Sequence, residues 1–357
     1  MPIVPTTDIC YIYNYDTGGK QKDMRMTVVA SILIIAICMA CPSAYAQGKA
    51  KILIVNSYHA DSPWVKAHNS ILISELSDKA LFSFAYLDSK RLSRKETEAT
   101  INHAWKMFKE IKPDLVILAD DYALERLGRR ILNTLTPVIF LGINNNPRQY
   151  IGNMAQITGV LERPLLKRSI SYIQEIIGGN MSKCLVLFDN SMTAQTTFRH
   201  VFKGNYSQVF NWTEVNIQMV STWYLWRETV LNAKRNGYDA IILGLYHTIR
   251  DENNQHLNEE DVARWTSQNA PVPVFAFWDF AVGHDKAIGG LILSGEPQGK
   301  EAAHLTKRVL AGENPQTIAP VTAEHGRFIF SRSGLKKWNL SLPKYFDTSH
   351  EQLLFVD

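Results

Sequence analysis

The chain has 357 residues, of which 46% are hydrophobic and 20% are charged. This composition is typical of globular proteins and excludes a wholly disordered chain. The 38 basic and 34 acidic side chains leave a formal net charge of +4, with no run of five or more Lys and Arg residues. So small and dispersed a charge does not indicate nucleic-acid binding, and the length allows two domains.

The first 46 residues have the pattern of a secretory signal peptide. Basic residues precede the apolar segment Thr27–Cys41, which ends at the small-residue site Ala44-Tyr45-Ala46. This order of charge, apolar run and A-x-A site is typical of exported proteins. We therefore expect cleavage after Ala46 and a location in the periplasm, with Met24 as a better start of the signal than Met1.

Two alternatives for this segment stay open. A membrane anchor is one, although about 15 apolar residues are fewer than the ~20 that a spanning helix needs. Lipid attachment at Cys41 is the other. Three of the four cysteines precede Ala46 and only Cys184 follows it, so we expect neither an internal disulfide nor a thiolate metal site in the exported chain.

Short apolar runs alternate with longer amphipathic stretches along the rest of the chain. The predicted strands are Lys51–Asn56, Phe82–Leu87, Leu115–Ala119, Pro137–Leu141, Lys183–Asp189, Glu214–Val220, Ala240–Leu245, Val272–Phe277, Gly289–Ser294 and Arg327–Phe330. The predicted helices are Ser62–Leu76, Lys95–Lys112, a segment through Arg130, Pro164–Ile177, Thr193–Phe202, Trp223–Asn236, Glu259–Asn269, Gln298–Leu310 and a short one ending at Trp338. Because apolar strands separated by helices form parallel sheets covered on both faces, the pattern predicts an α/β fold with two doubly wound parallel-sheet lobes.

The order of these elements also predicts how the chain divides. The Asn- and Gly-rich stretch Gly142–Gly159 separates two similar halves, and further strands and helices follow the second half. A chain that crosses between lobes more than once, through a multi-crossing hinge, fits this order. We expect one lobe from residues 47–143 and 279–316, and the other from residues 144–278 and 317–357.

Several common catalytic and cofactor motifs are absent. The first strand runs into Asn56-Ser57-Tyr58-His59 rather than G-x-G-x-x-G, and the chain has no phosphate-binding loop, no H-E-x-x-H and no G-x-S-x-G. The ten histidines show no spacing typical of a metal site. We therefore expect no catalytic residue, no cofactor and no metal.

Polar and aromatic side chains follow the predicted strands in both halves. Ligands of doubly wound sheets bind outside the carboxyl ends of the strands, so these side chains are the candidate ligand-binding residues. They are Ser57, Tyr58, His59, Trp64, Asp120, Asp121, Asn144, Asn145, Asp189, Asn190, Tyr246, Trp278 and Asp279. Aromatic rings attract cations, carboxylates suit an ammonium group and helix starts suit a carboxylate. The set therefore suits a zwitterion of amino-acid size.

Each candidate also has a purely structural interpretation. Asp120 and Asp189 stand where they would cap helices, and the aromatic residues would serve equally well as core. His59 fits a hydrogen-bonded structural group better than an acid–base catalyst, and Asn144 with Asn145 fits a turn.

Four segments resemble the "ABC transporter substrate-binding protein" family, which has the periplasmic binding protein type 1 fold. They are Asn56-Ser57-Tyr58-His59 with Pro63-Trp64, Thr158-Gly159-Val160-Leu161-Glu162, Phe277-Trp278-Asp279, and Gly289-Gly290 with the run from Ser294 to Ala303. The resemblance covers nearly all of Lys51–Pro343. It implies uptake or sensing of a small molecule, and some members of the family bind aromatic amino acids.

The pattern and the resemblance together predict a periplasmic solute-binding protein. We expect a monomer that closes on a small molecule, such as an amino acid or an aromatic amino-acid-like compound, and presents it to an ABC permease. A separate membrane sensor kinase or cyclase as the partner is the alternative. An exported hydrolase and a ligand-free adhesion or scaffold protein are the remaining hypotheses, and no nucleic acid is expected as a partner.

Overall fold

The computed structural model describes residues 48–152, 155–323, 326–344, 346 and 353–357. The predicted signal peptide, the alternative start at Met24, the cleavage site and the lipidation candidate Cys41 lie outside the described residues. Cys184 is described and is buried as a free thiol.

The strands are β1 (Ala50–Asn56), β2 (Ala80–Tyr86), β3 (Leu115–Ala119), β4 (Val138–Ile143), β5 (Ile157–Leu161), β6 (Lys183–Phe188), β7 (Ser207–Phe210), β8 (Thr213–Met219), β9 (Ala240–Leu243), β10 (Val274–Ala276), β11 (Gly289–Ile292), β12 (Val321–Thr322), β13 (Arg327–Phe330) and β14 (Leu353–Phe355). The helices are α1 (Pro63–Leu76), α2 (Arg94–Ile111), α3 (Asp120–Leu132), α4 (Pro147–Ile151), α5 (Leu166–Ile176), α6 (Met192–Val201), α7 (Trp223–Leu231), α8 (Glu259–Asn269), α9 (Gly295–Leu310) and α10 (Arg332–Lys337). Short 3-10 turns lie at Asp279–Ala281 and Pro315–Thr317.

The first sheet has the order β12-β5-β4-β3-β1-β2, and every adjacent pair is parallel. Its strands β1, β3 and β4 are buried along most of their length, as the centre of a sheet covered on both faces requires. Ile52 lies in a core with Leu72 of α1, whereas its neighbour Leu53 lies in a separate core with Ile101 of α2 and Leu124 of α3. Helices therefore cover both faces, and this lobe is doubly wound as predicted.

Helices α1 and α9 pack against each other on one of these faces, and small residues of α9 allow a close approach. A Cβ atom at Gly295 would lie 2.6 Å from the carbonyl oxygen of Trp64, and one at Gly299 would lie 2.6 Å from that of His68. Real Cβ atoms do not come this close to a carbonyl oxygen, so both positions require glycine. The contact determines where the first turn of α1, which carries Trp64, lies relative to the sheet.

The second sheet has the order β10-β9-β6-β8-β7. Its pairs are parallel except β7 with β8, which form an antiparallel hairpin at the edge. A third sheet, β11-β13-β14, continues beside β10, because the backbone N–H of Ile288 donates to Val274 and that of Leu293 donates to Phe277. The α/β class with two wound sheets is confirmed, and the antiparallel edge strand modifies the expected all-parallel order.

The chain passes between the sheets in three connections, after Leu161, after Ile292 and after Thr322. The predicted boundary between residues 143 and 144 falls inside the first sheet, because β5 pairs with β4 and β12 there. The helix α9, within the segment predicted for the first lobe, packs on the first sheet. The division of the chain into two mobile lobes stays a prediction.

Residues 49–357 form one compact unit. Within the described ranges, the helices are too short or too polar to cross a bilayer.

Candidate functional site

The carboxyl ends of strands from both large sheets meet around one cavity. Segments after β1, β2, β3 and β5 contribute from the first sheet, and segments after β6, β9 and β10 contribute from the second. The cavity has about 280 Å³ of space between its atoms, including the part open to solvent. Its lining residues are Tyr58, Ser62, Trp64, Lys90, Asp120, Glu162, Thr193, Leu245, His247, Trp278 and Phe280.

Two buried carboxyl groups of this lining approach Gly142, near the end of β4. A Cβ atom at Gly142 would lie 3.0 Å from Oδ1 of Asp120 and 3.7 Å from Oε2 of Glu162. Gly142 has φ +69°, and its N–H donates to Oε1 of Gln298 on α9 at 3.0 Å. Glycine is needed here for its left-handed backbone and for the space that the two carboxyl groups occupy.

Asp120, the first residue of α3, is held in an unfavourable conformation. It has φ +70°, which is costly for a residue with a side chain. The residue is 2% exposed and its Oδ2 has no hydrogen-bond partner. Burial, and secondarily the nearby Glu162, raise the pKa of Asp120 well above 3.8. A strained, buried carboxyl group with an unused oxygen is a feature typical of binding sites.

Glu162 follows β5 and is bonded to groups from other parts of the chain. Its Oε1 accepts a hydrogen bond from Nε1 of Trp278 at 2.6 Å, and its Oε2 accepts one from Nδ2 of Asn144 at 3.3 Å. Burial raises the pKa of Glu162 to about 7, and the hydrogen bond from Trp278 opposes this shift. Near neutral pH this group is therefore poised between its protonated and ionised forms.

Lys90 follows β2 and is the cation of the described lining. The side chain is 8% exposed, and its Nζ lies 3.7 Å from the centroid of the Tyr58 ring, a cation–π contact. Burial lowers the pKa of the Lys90 ammonium, while Asp189 and Asp120 oppose the shift. Within the described part of the chain, no hydrogen bond or ion pair to Nζ occurs, so its donors are free for an acceptor in the cavity.

Aromatic rings form most of the remaining wall. Trp278 stacks on Phe280 with ring centroids 6.2 Å apart, and Tyr58 and Trp64 face the cavity from the first sheet. Nε1 of Trp64 and Nδ1 of His247 are buried without a partner. The cavity thus presents free donors at Lys90 and Trp64, a free acceptor at Asp120, and apolar walls between them.

Side chains from the two sheets also bond directly to each other around the cavity. The Tyr58 hydroxyl lies 3.2 Å from Oγ1 of Thr193, and Oγ1 of Thr197 donates to Oδ1 of Asn144 at 3.3 Å. In this conformation the cavity has room for about one water molecule. A larger ligand therefore requires these contacts to open.

Four of the thirteen sequence-predicted residues line the cavity: Tyr58, Trp64, Asp120 and Trp278. Asp121 instead binds the chain after β4. Its Oδ2 accepts from the backbone N–H of Asn144 at 2.9 Å, and its Oδ1 accepts from that of Asn145 at 3.0 Å and from the Tyr150 hydroxyl at 3.1 Å. Asp121, Asn144 and Asn145 therefore position the end of β4 behind the lining.

Asp189 has a similar role at the end of β6. Its Oδ1 accepts from the backbone N–H and the hydroxyl of Ser191, and its Oδ2 accepts from the N–H of Thr248 at 3.0 Å. The neighbouring Asn190 is exposed and bonds to Gln195 of α6. Both residues lie outside the lining and serve the start of α6.

The remaining predicted residues also lie outside the lining. The Ser57 hydroxyl donates to the carbonyl of Ala119 at 2.6 Å and accepts from the N–H of Ala123 at 2.9 Å. His59 lies between Asp88 and Glu259 at 3.8 and 3.5 Å, and burial lowers its pKa. The other two are Tyr246, which stacks on His247 in the core, and Asp279, whose pKa burial raises to about 6.

Sequence reasoning did not select Lys90 or Glu162 as ligand-binding residues. Both follow strands of the first sheet, so the rule that selected Tyr58 and Asp120 applies to them equally. Lys90 was missed because the end of β2 was not considered. Glu162 lies just after the predicted connection Gly142–Gly159, and no strand is predicted before it, although β5 spans Ile157–Leu161.

Two surface grooves, each of about 780 Å³, lie elsewhere, and one of them is lined by Lys167, Arg168 and Lys203. They are roomier than the cavity, yet they do not combine buried charges with unbonded donors and acceptors. The cavity is therefore the better candidate site. In the described residues, no cluster of three or more metal-binding side chains occurs.

No family model and no curated protein sequence matches the chain. Several solved structures are similar to the chain in fold. The ABC domain in complex with L-Trp from Streptococcus pneumonia has 14% sequence identity and a TM-score of 0.59, covering 85% of this chain and 99% of that one. The ligand-free, open structure of CD0873 from Clostridium difficile, a substrate binding protein with adhesive properties, has 12% identity and a TM-score of 0.58, covering 86% and 99%.

The periplasmic binding protein component of the arabinose ABC transporter from Shewanella sp. ANA-3 is also similar, with 12% identity and a TM-score of 0.50, covering 81% and 94%. At identities this low the likeness establishes the fold. The chain therefore has the periplasmic binding protein type 1 fold, as the sequence predicted.

Proposed function

We propose that this chain is an exported solute-binding protein that captures a small molecule in the cavity between its two sheets. One observation carries the proposal. In an aromatic cavity, Nε1 of Trp64 and Oδ2 of Asp120 are buried without a hydrogen-bond partner among the described residues, and the ammonium of Lys90 lies over the Tyr58 ring without a hydrogen bond to a described residue. Buried polar groups normally have partners, so a ligand with both donors and acceptors would complete them.

An amino acid fits this arrangement. Its ammonium group would bind the carboxyl group of Asp120, its carboxylate would bind Lys90 and Trp64, and an apolar or aromatic side chain would lie against Trp278 and Phe280. The Streptococcus protein of the same fold is described in complex with L-Trp, which makes L-tryptophan the first compound to test.

The two lobes of this proposal are built on the two large sheets and move about the three connections between them. Opening would break the contacts of Tyr58 with Thr193 and of Trp278 with Glu162, and closure on the ligand would restore them. We propose that an ABC permease reads the closed form. A separate membrane sensor is the alternative partner for the same closed form, because the ligand contacts in the cavity would be the same with either partner.

A hydrolase is less consistent with the site. The Ser57 hydroxyl is used twice by backbone groups, and His59 faces Asp88 and Glu259 rather than a nucleophile.

The test is a melting-temperature screen of the chain from Gln47 to Asp357, unfolded and refolded to remove bound ligand. The panel contains amino acids, sugars, purines, dicarboxylates, amines and small peptides. A ligand at about 100 times its Kd adds about 2.7 kcal/mol of stability, which is a clear shift. If no compound shifts melting, a ligand-free adhesion or scaffold role becomes the better interpretation.

A further inference from the structure

The cavity has more acidic than basic charge. Asp120 and Glu162 both approach Gly142, at 3.0 and 3.7 Å from its virtual Cβ, and Lys90 is the cation of the described lining. The Lys90 ammonium lies over the Tyr58 ring and is not bonded to either carboxyl group. If both carboxyl groups were ionised in the empty cavity, the lining would hold two negative charges and one positive charge, and the excess buried charge is costly.

The surroundings stabilise one charge on this pair better than two. Glu162 receives hydrogen bonds from Trp278 and Asn144, whereas Oδ2 of Asp120 receives none, and the nearby Tyr58 hydroxyl lowers the pKa of Asp120 less than burial raises it. Because two like charges in one buried site are costly without a cation, the ionised form of one carboxyl group favours the protonated form of the other. An ammonium group placed between them would supply that cation.

We propose that Asp120 and Glu162 form the subsite for the ligand's ammonium group, and that the empty pair holds a proton which the incoming ammonium displaces into solution. This inference rests on the proposed function. Ligand capture then releases up to one proton per molecule bound. At pH values where the empty pair is fully protonated, lowering the pH by one unit weakens the affinity about tenfold.

The direction of the pH dependence agrees with the other groups around the pair. Burial raises the pKa of both Asp120 and Glu162, the latter to about 7, so the pair still holds a proton when the pH is slightly below 7. Burial lowers the pKa of His247 well below 6.5, which keeps it neutral there. The other charged or titratable groups that face the pair are Tyr58, Lys90, Asp121 and Arg163.

Three related probes separate the groups of the ligand. L-Tryptophan has an ammonium and a carboxylate, tryptamine has the ammonium alone, and indole-3-propionate has the carboxylate alone. Titration calorimetry at pH 6.5, in two buffers of different ionisation enthalpy, counts the protons released. We expect roughly 0.5–1 proton for the two amines, none for indole-3-propionate, and a count for the amines that decreases when the pH is raised to 8.5.

Two variants locate the proton. Glu162→Gln keeps the acceptor for Trp278 but removes the negative charge that helps to raise the pKa of Asp120, so proton release should decrease and amine binding should weaken at least tenfold. Asp239→Asn is the matched control. Asp239 accepts hydrogen bonds from Ser182 and Lys183 at the opposite end of the second sheet, and its replacement should leave the proton count unchanged.

Each result bears on the inference separately from the proposed function. Amine binding without proton release at pH 6.5, or equal release from Glu162→Gln, overturns the proton exchange. If only indole-3-propionate binds, or if the screen finds a sugar or a dicarboxylate while no amine binds, the ammonium subsite is wrong and solute capture stands. If nothing in the screen binds, both proposals fail.

Discussion

Nε1 of Trp278 donates a hydrogen bond of 2.6 Å to Oε1 of Glu162, joining residues 116 positions apart. Trp278 follows β10 of the second sheet and Glu162 follows β5 of the first. The bond therefore connects the two sheets at the cavity wall, and it bonds a carboxyl group whose pKa burial raises to about 7. The same contact affects the shape of the cavity and the charge state of Glu162.

Trp278→Phe should separate these two effects, since the ring is largely kept and the donor is lost. Because the hydrogen bond favours the ionised form of Glu162, we expect its pKa to rise further and the pH range of ligand binding to move upward. Loss of the bond should also lower the free energy of unfolding by about 1–2 kcal/mol. Calorimetry at several pH values and denaturant unfolding measure the two quantities.

Trp278→Ala should be more severe. The ring is 2% exposed and packs against Phe188, Phe277 and Phe280, so its loss should cost about 3–5 kcal/mol of stability. Binding should weaken by about 2 kcal/mol or more if Trp278 is a ligand wall. Unchanged affinity in the folded fraction of this variant would make Trp278 a packing residue only.

The stability of the empty protein should fall as pH rises, because of Glu162. The folded state holds its proton up to about pH 7, whereas the unfolded carboxyl loses it near its ordinary value of 4.5. Between these values the folded state binds more protons, so the free energy of unfolding decreases with rising pH. This contribution reaches at most about 3 kcal/mol, since each pKa unit is worth about 1.4 kcal/mol.

Glu162→Gln should reduce this fall, because glutamine does not titrate. The measurement is urea unfolding of both proteins between pH 5 and pH 8. Parallel curves over the whole range would mean that Glu162 titrates normally in the folded protein.

Gly142→Ala should damage the site. A Cβ at Gly142 would lie 3.0 Å from Oδ1 of Asp120, and the residue has φ +69°. The strain alone costs about 1–3 kcal/mol, and movement of Asp120 should abolish ligand binding. Gly152→Ala is the control for strain, since Gly152 has φ +74° and, among the described residues, no atom lies within 4 Å of its virtual Cβ. Similar loss of binding in both variants would contradict the proposal that Gly142 is needed to keep Asp120 in place.

Ser57→Ala tests the prediction that Ser57 binds ligand. Its hydroxyl bonds to Ala119 and Ala123, so we expect a loss of about 1–3 kcal/mol in stability and an affinity within about threefold of the original. Melting and calorimetry on the same preparation measure both. A much weaker affinity with normal stability would return Ser57 to the ligand contacts.

The elements of the fold and their type were predictable from sequence, because each is determined by local pattern. The apolar run Leu115–Ala119 and the helix Glu259–Asn269 have the predicted bounds. The end of an apolar strand is also visible locally, and this is why Tyr58, Asp120 and Trp278 were placed near the cavity. The type 1 fold followed from this alternation and from the resemblance.

The pairing of strands was decided by tertiary structure. The segment Ile157–Leu161 contains Thr158 and Gly159 and looked like part of a linker, yet it is a buried strand because β4 and β12 flank it. Its inclusion in the first sheet brings Glu162 beside Asp120. Local sequence does not encode this proximity, because the two residues follow separate strands.

Tertiary structure also decided which polar residues face the cavity. Asp120 and Asp121 are adjacent and equally plausible as ligand-binding residues from sequence. The Asp121 carboxylate accepts hydrogen bonds from Asn144, Asn145 and Tyr150, whereas Oδ2 of Asp120 has no partner. The sequence by itself determined which side chains lie at the strand ends. Only the packing of distant strands and helices decided which of these side chains keep free hydrogen-bonding groups. The residues that could bond to those groups lie far away in the chain, so their positions depend on the tertiary structure.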